Sequence, residues 1–314
     1  MNTRCHPSAA ALLTAFALLA TGCASMRDAA VRDMAGSLSD AAALSFATEN
    51  DPVLAADAMP FALKTLDMLV LQQPKNPDLH LAAARAYVQY SHAFLDWEAR
   101  KLEDEDPARA AALRARAANL FRRARDYAAI ALTLRHPHLL KRLPEHPHAA
   151  LDACDANDVP ALTWFGIAWA SLIAANPSDM QEVARLPVVE AVMRQAYSLD
   201  PDAEDGTLHE FFIAFDGSRS PAMGGDPTRA EDHFTRAVKI TRGASASPYV
   251  TLATTVAIQQ QDAARFRDLL NQALAIDPDA APQLRLANAL AREKATWYLA
   301  RIDDFILSDE PATP

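Results

Sequence analysis

The phrase Ala196-Tyr-Ser-Leu-Asp-Pro201-Asp recurs as Ala273-Leu-Ala-Ile-Asp-Pro278-Asp, and no other feature limits the possible folds so tightly. In each copy a small residue lets a second helix approach closely. The Pro that follows has no N–H and clashes with a continuing helix, so the chain turns there. Two copies of one helix ending mark a chain built from repeated helix–turn units. The remaining sequence agrees. Only 8 Gly are present against abundant Ala, Leu and Arg, and no segment alternates as a half-buried strand does. The 20 Pro fall at joints. Asp51-Pro52, Asn76-Pro77, Asp106-Pro107, Asn176-Pro177 and Asp226-Pro227 each read as an N-cap followed by Pro at the first helical position. The chain reads as all-α.

The spacing within these units follows the tetratricopeptide (TPR) pattern of paired helices. With Pro74 as one repeat's last residue, Ala83, Ala84 and Tyr87 occupy the expected apolar, small and Tyr positions. Ala230, Phe234 and Ala237 reproduce the small–aromatic–small spacing of a second helix, and Ala273 and Pro278 do so again after Leu270. The stretch from Tyr87 to Ala131 is too long for one repeat and holds an acidic insert, Glu103 to Asp106. The expectation is an α-solenoid of irregular TPR-like helical hairpins, about a dozen helices at roughly 34 residues per pair. Repeat architecture favours binding over chemistry.

The N-terminus sets the address. Arg4 precedes an apolar run from Ala9 to Ala20 that is short for a membrane span and ends in Leu19-Ala20-Thr21-Gly22-Cys23. This resembles a bacterial lipobox, with Cys23 as the lipidated residue after removal of residues 1–22. Several acyl chains, each gaining about 0.8 kcal/mol per buried CH₂, make a firm anchor. Ala24 rather than Asp follows, which favours the outer membrane over the inner. Residues 23–43 read as a lipidated tether, 44–307 as the helical domain and 308–314 as a frayed tail. Of three Cys, removal of Cys5 and acylation of Cys23 leave Cys154 without an intramolecular partner. The formal charge of −10 becomes −11 once Arg4 is removed. Such a surface excludes nucleic acid as the natural partner and leaves covalent lipid as the membrane link.

Candidate ligand contacts are aromatic. Tyr87, Tyr90 and Phe94 share one helical face, either as core packing or as the wall of a ligand channel. Trp164, Phe165 and Trp169 form a second group with the same two readings. Thr207-x-x-Glu210 reads as a capping box, with His209 beside it as a possible ligand contact. His136-Pro-His138 and His146-Pro-His148, near Asp152 and Cys154, are weak metal candidates because their spacing matches no zinc pattern. Arg114, Arg116, Arg122, Arg123 and Arg125 spread around their helix, as on a solvated face paired with carboxylates. No nucleophile elbow, phosphate-cradling Gly loop or paired zinc-ligand helix is present, and no cofactor is called for.

Nine segments, in order, resemble the TPR-containing lipoproteins associated with tripartite ATP-independent periplasmic (TRAP) transporters, the T-component family. They are Glu49-Asn-Asp-Pro52, Ala86-Tyr87-Val-Gln-Tyr90, Leu102-Glu-Asp-Glu-Asp-Pro107, Arg122-Arg-Ala-Arg125-Asp-Tyr127, Leu134-Arg135-His136-Pro137, Asp158-Val-Pro160-Ala-Leu-Thr-Trp164, Leu208-His209-Glu210-Phe, Gly224-Gly225-Asp226-Pro227 and Leu284-Arg285-Leu-Ala-Asn288. The resemblance runs from about Ser45 to Leu307. It implies a homotrimer, a pore or cleft for a small, apolar or organic-acid ligand, and a periplasmic TRAP solute-binding protein as partner. It implies no catalytic residues. Two other readings stand beside it: a TPR scaffold for envelope assembly, and a metal carrier or metal-dependent enzyme built on the His-Pro-His pairs.

Overall fold

The computed structural model describes residues 36–307. The stretch read as a signal peptide, the expected lipidation site Cys23, the start of the expected tether and the expected tail lie outside the described residues. Every described regular element is helical. A helix, α1, over 36–47 begins within the stretch assigned to the tether. It is followed by α2 (Pro52–Gln72), α3 (Pro77–Tyr90), α4 (Trp97–Lys101) and α5 (Pro107–Arg135). Then come the short α6 (Leu139–Arg142) and α7 (Pro147–Leu151), α8 (Val159–Ala175), the single turn α9 (Met180–Val183) and α10 (Leu186–Leu199). The chain finishes with α11 (Thr207–Gly217), α12 (Pro227–Ile240), α13 (Ser247–Leu252), α14 (Ala263–Ala275) and α15 (Arg285–Leu299).

Four of the five Asx-Pro joints start helices as expected. Asp51 accepts from the amides of Val53 and Leu54, Asn76 from Asp78, Asp106 from Arg109, and Asp226 from Thr228 and Arg229. Asn176 is the exception. Its own amide bonds back to Leu172 and Ile173, so it ends α8, and Asp179 caps the next turn instead. The two repeated phrases end α10 and α14 before Pro201 and Pro278, with Ala196 and Ala273 wholly buried where neighbouring helices meet.

Packing is largely sequential. α2 lies on α3, α3 on α5, α5 on α8 and α8 on α10; further on α11 pairs with α12, α13 with α14, and α14 with α15. α11 joins two cores. Leu208, Phe212 and Phe215 face the core of α8 and α10, while Ile213 belongs with Phe266, Leu269 and Leu270 of α14. α8 is long and apolar enough to cross a membrane by length and composition, but it is buried as the central helix of the N-terminal half. The array then closes on itself. α15 meets α2, Trp97 Nε1 donates to Glu293 at 2.9 Å, and the Trp97 and Trp297 rings meet edge to face at 5.2 Å. This contact brings α15 back to the N-terminal half of the chain.

One face remains bare. Leu54, Phe61 and Met68 recur at seven-residue spacing on α2, with Leu71 one turn further, and are 55%, 76%, 53% and 78% exposed. The buried row of the same helix, Ala55, Met59, Leu63 and Val70, already faces the core. α2 is therefore apolar on two sides.

Candidate functional site

Between α3 and α4 the helix widens into a π-helical segment, Ser91–Asp96. Such segments shift a face by one residue and recur at functional sites. Here the segment carries His92 and Asp96, which follow Arg85 of α3 along the chain. α8 runs alongside with Trp164 and Ser171 seven residues apart. Arg85 lies over the Trp164 ring at 5.3 Å, and His92 Nε2 is 2.7 Å from Ser171 Oγ.

The loop before α11 contributes Glu204. Glu204, Asp205 and Gly206 all have positive φ, at 56°, 53° and 90°. Two non-Gly residues in this region cost of order 1–3 kcal/mol each, so the surrounding structure must hold the loop in place. What it gains is the Glu204 carboxylate, whose Oε2 accepts from Arg85 Nη2 at 2.6 Å and from Trp164 Nε1 at 2.7 Å. Gly206 takes the N-cap position of α11 and makes no side-chain cap. Thr207 is already helical, so the expected capping box does not form. Glu210 turns inward, where its Oε2 accepts from Ser247 Oγ at 2.7 Å.

Lys294 of α15 completes the group. Its ammonium lies 5.5 Å from the centre of the Trp97 ring and feels the charges of Asp96, Glu293 and Glu210. Lys294 and Glu210 are half-buried. Asp96 is more open, its side chain 44% exposed and 3.9 Å from His92. Burial pushes the Glu210 carboxyl up and the Lys294 ammonium down. Burial also acts to raise Asp96, but His92, Lys294 and Arg114 together hold it below the usual carboxylate range.

Of the six aromatic and His candidates, Trp164 joins this cluster. Tyr90 and Phe94 pack together with ring centres 5.8 Å apart, and Arg116 reaches the Tyr90 hydroxyl at 3.5 Å. Tyr87 points toward α2, where its hydroxyl donates to buried Asp67 at 3.0 Å and Tyr127 adds a second bond at 2.7 Å. Trp169 occupies the other side of α8, donating to Glu182 at 2.7 Å beneath Arg125. His209 is buried against His233, the two Nδ1 atoms 2.9 Å apart. Arg85, His92, Asp96, Glu204, Glu210 and Lys294 were not singled out by the sequence as a group. Only the inward side of the aromatic helix hinted at His92.

The His-Pro-His pairs do not converge. His138, His146 and His148 are exposed. His136 approaches Cys154 and Asp158, their ligand atoms within 4.8 Å of one another. That trio is already engaged. His136 Nε2 is 2.8 Å from Asp158, the Asp155 amide donates to Asp158 at 2.9 Å, and Arg135 Nε stands 3.1 Å from its other oxygen. Burial, with Asp158 and Asp155 nearby, pushes the Cys154 thiol up to about 11, which keeps it protonated.

Fold and geometry together define an all-helical protein with a cluster of charged and polar side chains where α3, α8 and the loop before α11 meet. The chain belongs to the TRAP transporter T-component family, whose model matches residues 48–306. It is also 28% identical over 321 residues to a Treponema pallidum (strain Nichols) protein described only as uncharacterized, covering 96% of this chain and 99% of the relative. Membership assigns a role in TRAP transport, a place in the periplasm or at the membrane, and a family that is non-enzymatic in general.

Proposed function

We propose that this chain is a non-enzymatic, lipid-anchored periplasmic protein of TPR-like design that docks a TRAP solute-binding protein and holds or relays its small-molecule ligand. The observation that carries this reading is the match of the T-component family model over residues 48–306, beside which stands the polar cluster where Glu204 joins Arg85 to Trp164 and His92 meets Ser171. The lipobox at Cys23 supplies the anchor, at the outer membrane in this reading. A pull-down from periplasm with the soluble form beginning after Cys23 tests the partner. A solute-binding protein is expected on the beads; recovery of outer-membrane assembly factors in its place would sink the reading.

The homotrimer belongs to the same proposal and is supported by the bare face of α2. Exposed apolar residues at seven-residue spacing suit packing against the same helix of another copy. Phe61→Asp places a charge at the centre of that face and is expected to convert a trimer to monomers, read as molar mass by light scattering. A monomeric wild-type protein, or a variant that stays trimeric, would remove this part of the proposal.

A further inference from the structure

Three donor atoms of different chemistry meet where the end of α5 lies beside the start of α8. A His136 nitrogen, the Cys154 sulfur and an Asp158 oxygen all stand within 4.8 Å of one another. The backbone puts each of them there. His136 ends α5, its amide bonded to the Leu132 carbonyl. Asp158 closes the capping box with Asp155 that leads into α8, and Cys154 follows the turn after α7 with its amide on Leu151. Cys154 and Asp158 are buried, while the His136 side chain is 18% exposed. The contacts that engage this trio also fix its donors in place, and they leave one atom over. The Asp155 amide and His136 both use Asp158 Oδ2, so the buried Oδ1 accepts no hydrogen bond. Its charged neighbour is Arg135 Nε at 3.1 Å, and Arg135 is shared with Asp155 at 3.3 Å. Two carboxylates thus face one guanidinium beside a buried thiol.

We propose that His136, Cys154 and Asp158 form a binding site for a borderline divalent cation, zinc above all, that ties the end of α5 to the start of α8. An imidazole, a thiolate and a carboxylate are ordinary zinc ligands, whereas calcium and magnesium take oxygen donors. At zinc–ligand distances of about 2.0–2.3 Å, tetrahedral donors stand about 3.4–3.6 Å apart. The 2.8 Å contact between His136 and Asp158 therefore opens by less than about 1 Å, and the widest gap closes by no more than about 1.2 Å. The cation displaces the Cys154 thiol proton and any proton held between His136 and Asp158, and these leave to solvent. Its two positive charges then balance one thiolate and one carboxylate, and Arg135 stays paired with Asp155. Three protein ligands leave the fourth position to water. This site goes beyond the docking reading and stands or falls without it.

Titration of the purified full chain, made without a His tag and stripped of metal, with Co²⁺ and then Zn²⁺ tests this. One Co²⁺ per chain is expected to give a sulfur-to-cobalt charge-transfer band in the near ultraviolet, and Zn²⁺ to abolish it by displacement. Cys154→Ser should remove the band. His136→Gln should weaken Zn²⁺ by about a hundredfold or more, the upper range for losing even a residue that only supports a ligand. Zn²⁺ should also raise the melting temperature of wild type but not of Cys154→Ser, because a cation that binds only the folded chain stabilises it. Circular dichroism checks that both variants fold. A variant with His138, His146 and His148 all changed to Gln should bind like wild type. The assignment is overturned if wild type gives no such band at millimolar Co²⁺, if the band survives in Cys154→Ser, or if His136→Gln holds Zn²⁺ as tightly as wild type. Loss of binding in the triple variant would move the metal to the exposed imidazoles and overturn it equally.

Discussion

Asp216→Ala is expected to destabilise the protein by about 3–5 kcal/mol, the range for removing one partner of a buried ion pair. Asp216 has a fully buried side chain near the end of α11. Arg229 grips both its oxygens, Nη2 at 2.9 Å and Nε at 3.2 Å, and Arg219 Nη2 lies 3.6 Å away. Arg219 is only 14% exposed and its guanidinium lies over the Phe215 ring at 3.6 Å. Burial already pushes its charged form toward disfavour, and without Asp216 it would keep only Glu190, at 4.0 Å, beside a second cation. The same two arginines hold the turn into α12. Arg229 donates to the Gly224 carbonyl at 3.2 Å, and the Asp226 amide bonds to the Asp216 carbonyl at 3.0 Å. The backbone there is so close that a Cβ on Gly225 would stand 1.8 Å from the Arg219 carbonyl oxygen. Urea unfolding followed by circular dichroism measures the loss. Adding Arg219→Met to Asp216→Ala should recover part of it, since the double variant no longer strands that cation. A loss below about 1 kcal/mol would mean that the arginines find other partners. Because Asp216 lies six residues after Glu210 on the same helix, the same variant should also weaken ligand retention.

Much of the architecture could be read in the chain because it is encoded locally. An Asp before a Pro can cap a helix wherever it stands, and four such pairs do so. Asn176 misleads because the same dipeptide can close one helix instead of opening the next; with Asp179 three residues later, the stronger cap wins. Thr207 and Glu210 mislead for a backbone reason. The left-handed turn at Glu204 to Gly206 puts the cap one residue early, so Thr207 enters the helix and Glu210 becomes available to the interior. The aromatic residues are visible as a group, yet their directions are not. Tyr87 and Trp164 look equivalent in the sequence, but one bonds Asp67 under α2 and the other meets Arg85 and Glu204 inside. Lys294 carries no local signal at all, lying among the alternating charges of an ordinary amphipathic helix. Its role depends on α15 returning to the Trp97 region, a contact between distant parts of the chain that only the closed array creates.

Between about pH 6.5 and about pH 4, the His209–His233 pair is expected to cost the native state about 3 kcal/mol, from the lowering of His233 at about 1.36 kcal/mol per unit. The two Nδ1 atoms are 2.9 Å apart, so one can donate only while the other stays unprotonated. His233 also stacks on Phe212 at 4.9 Å, and Tyr197 meets both imidazoles edge-on. Burial, then the field of His209, pushes His233 down to about 4. Burial likewise lowers His209, against the pull of Asp202 at 3.7 Å. An unfolded histidine titrates near 6.5, so across this window the unfolded chain binds more protons than the folded one. The stabilisation is therefore complete above the unfolded value and is lost as pH falls toward the folded one. Glu210 acts in the opposite sense, because its raised carboxyl holds a proton in the folded state after the unfolded chain has released it. The total pH profile thus mixes two signs. His233→Phe isolates the pair by keeping an aromatic ring against Phe212 while removing the titrating nitrogens. Urea unfolding of wild type and variant from about pH 7 to about pH 4.5 should give curves that converge as the solution is acidified, the variant losing less. Parallel curves would mean that the pair takes up protons over the same pH range in the folded protein as in the unfolded chain, and that the short nitrogen–nitrogen contact does not hold a neutral pair.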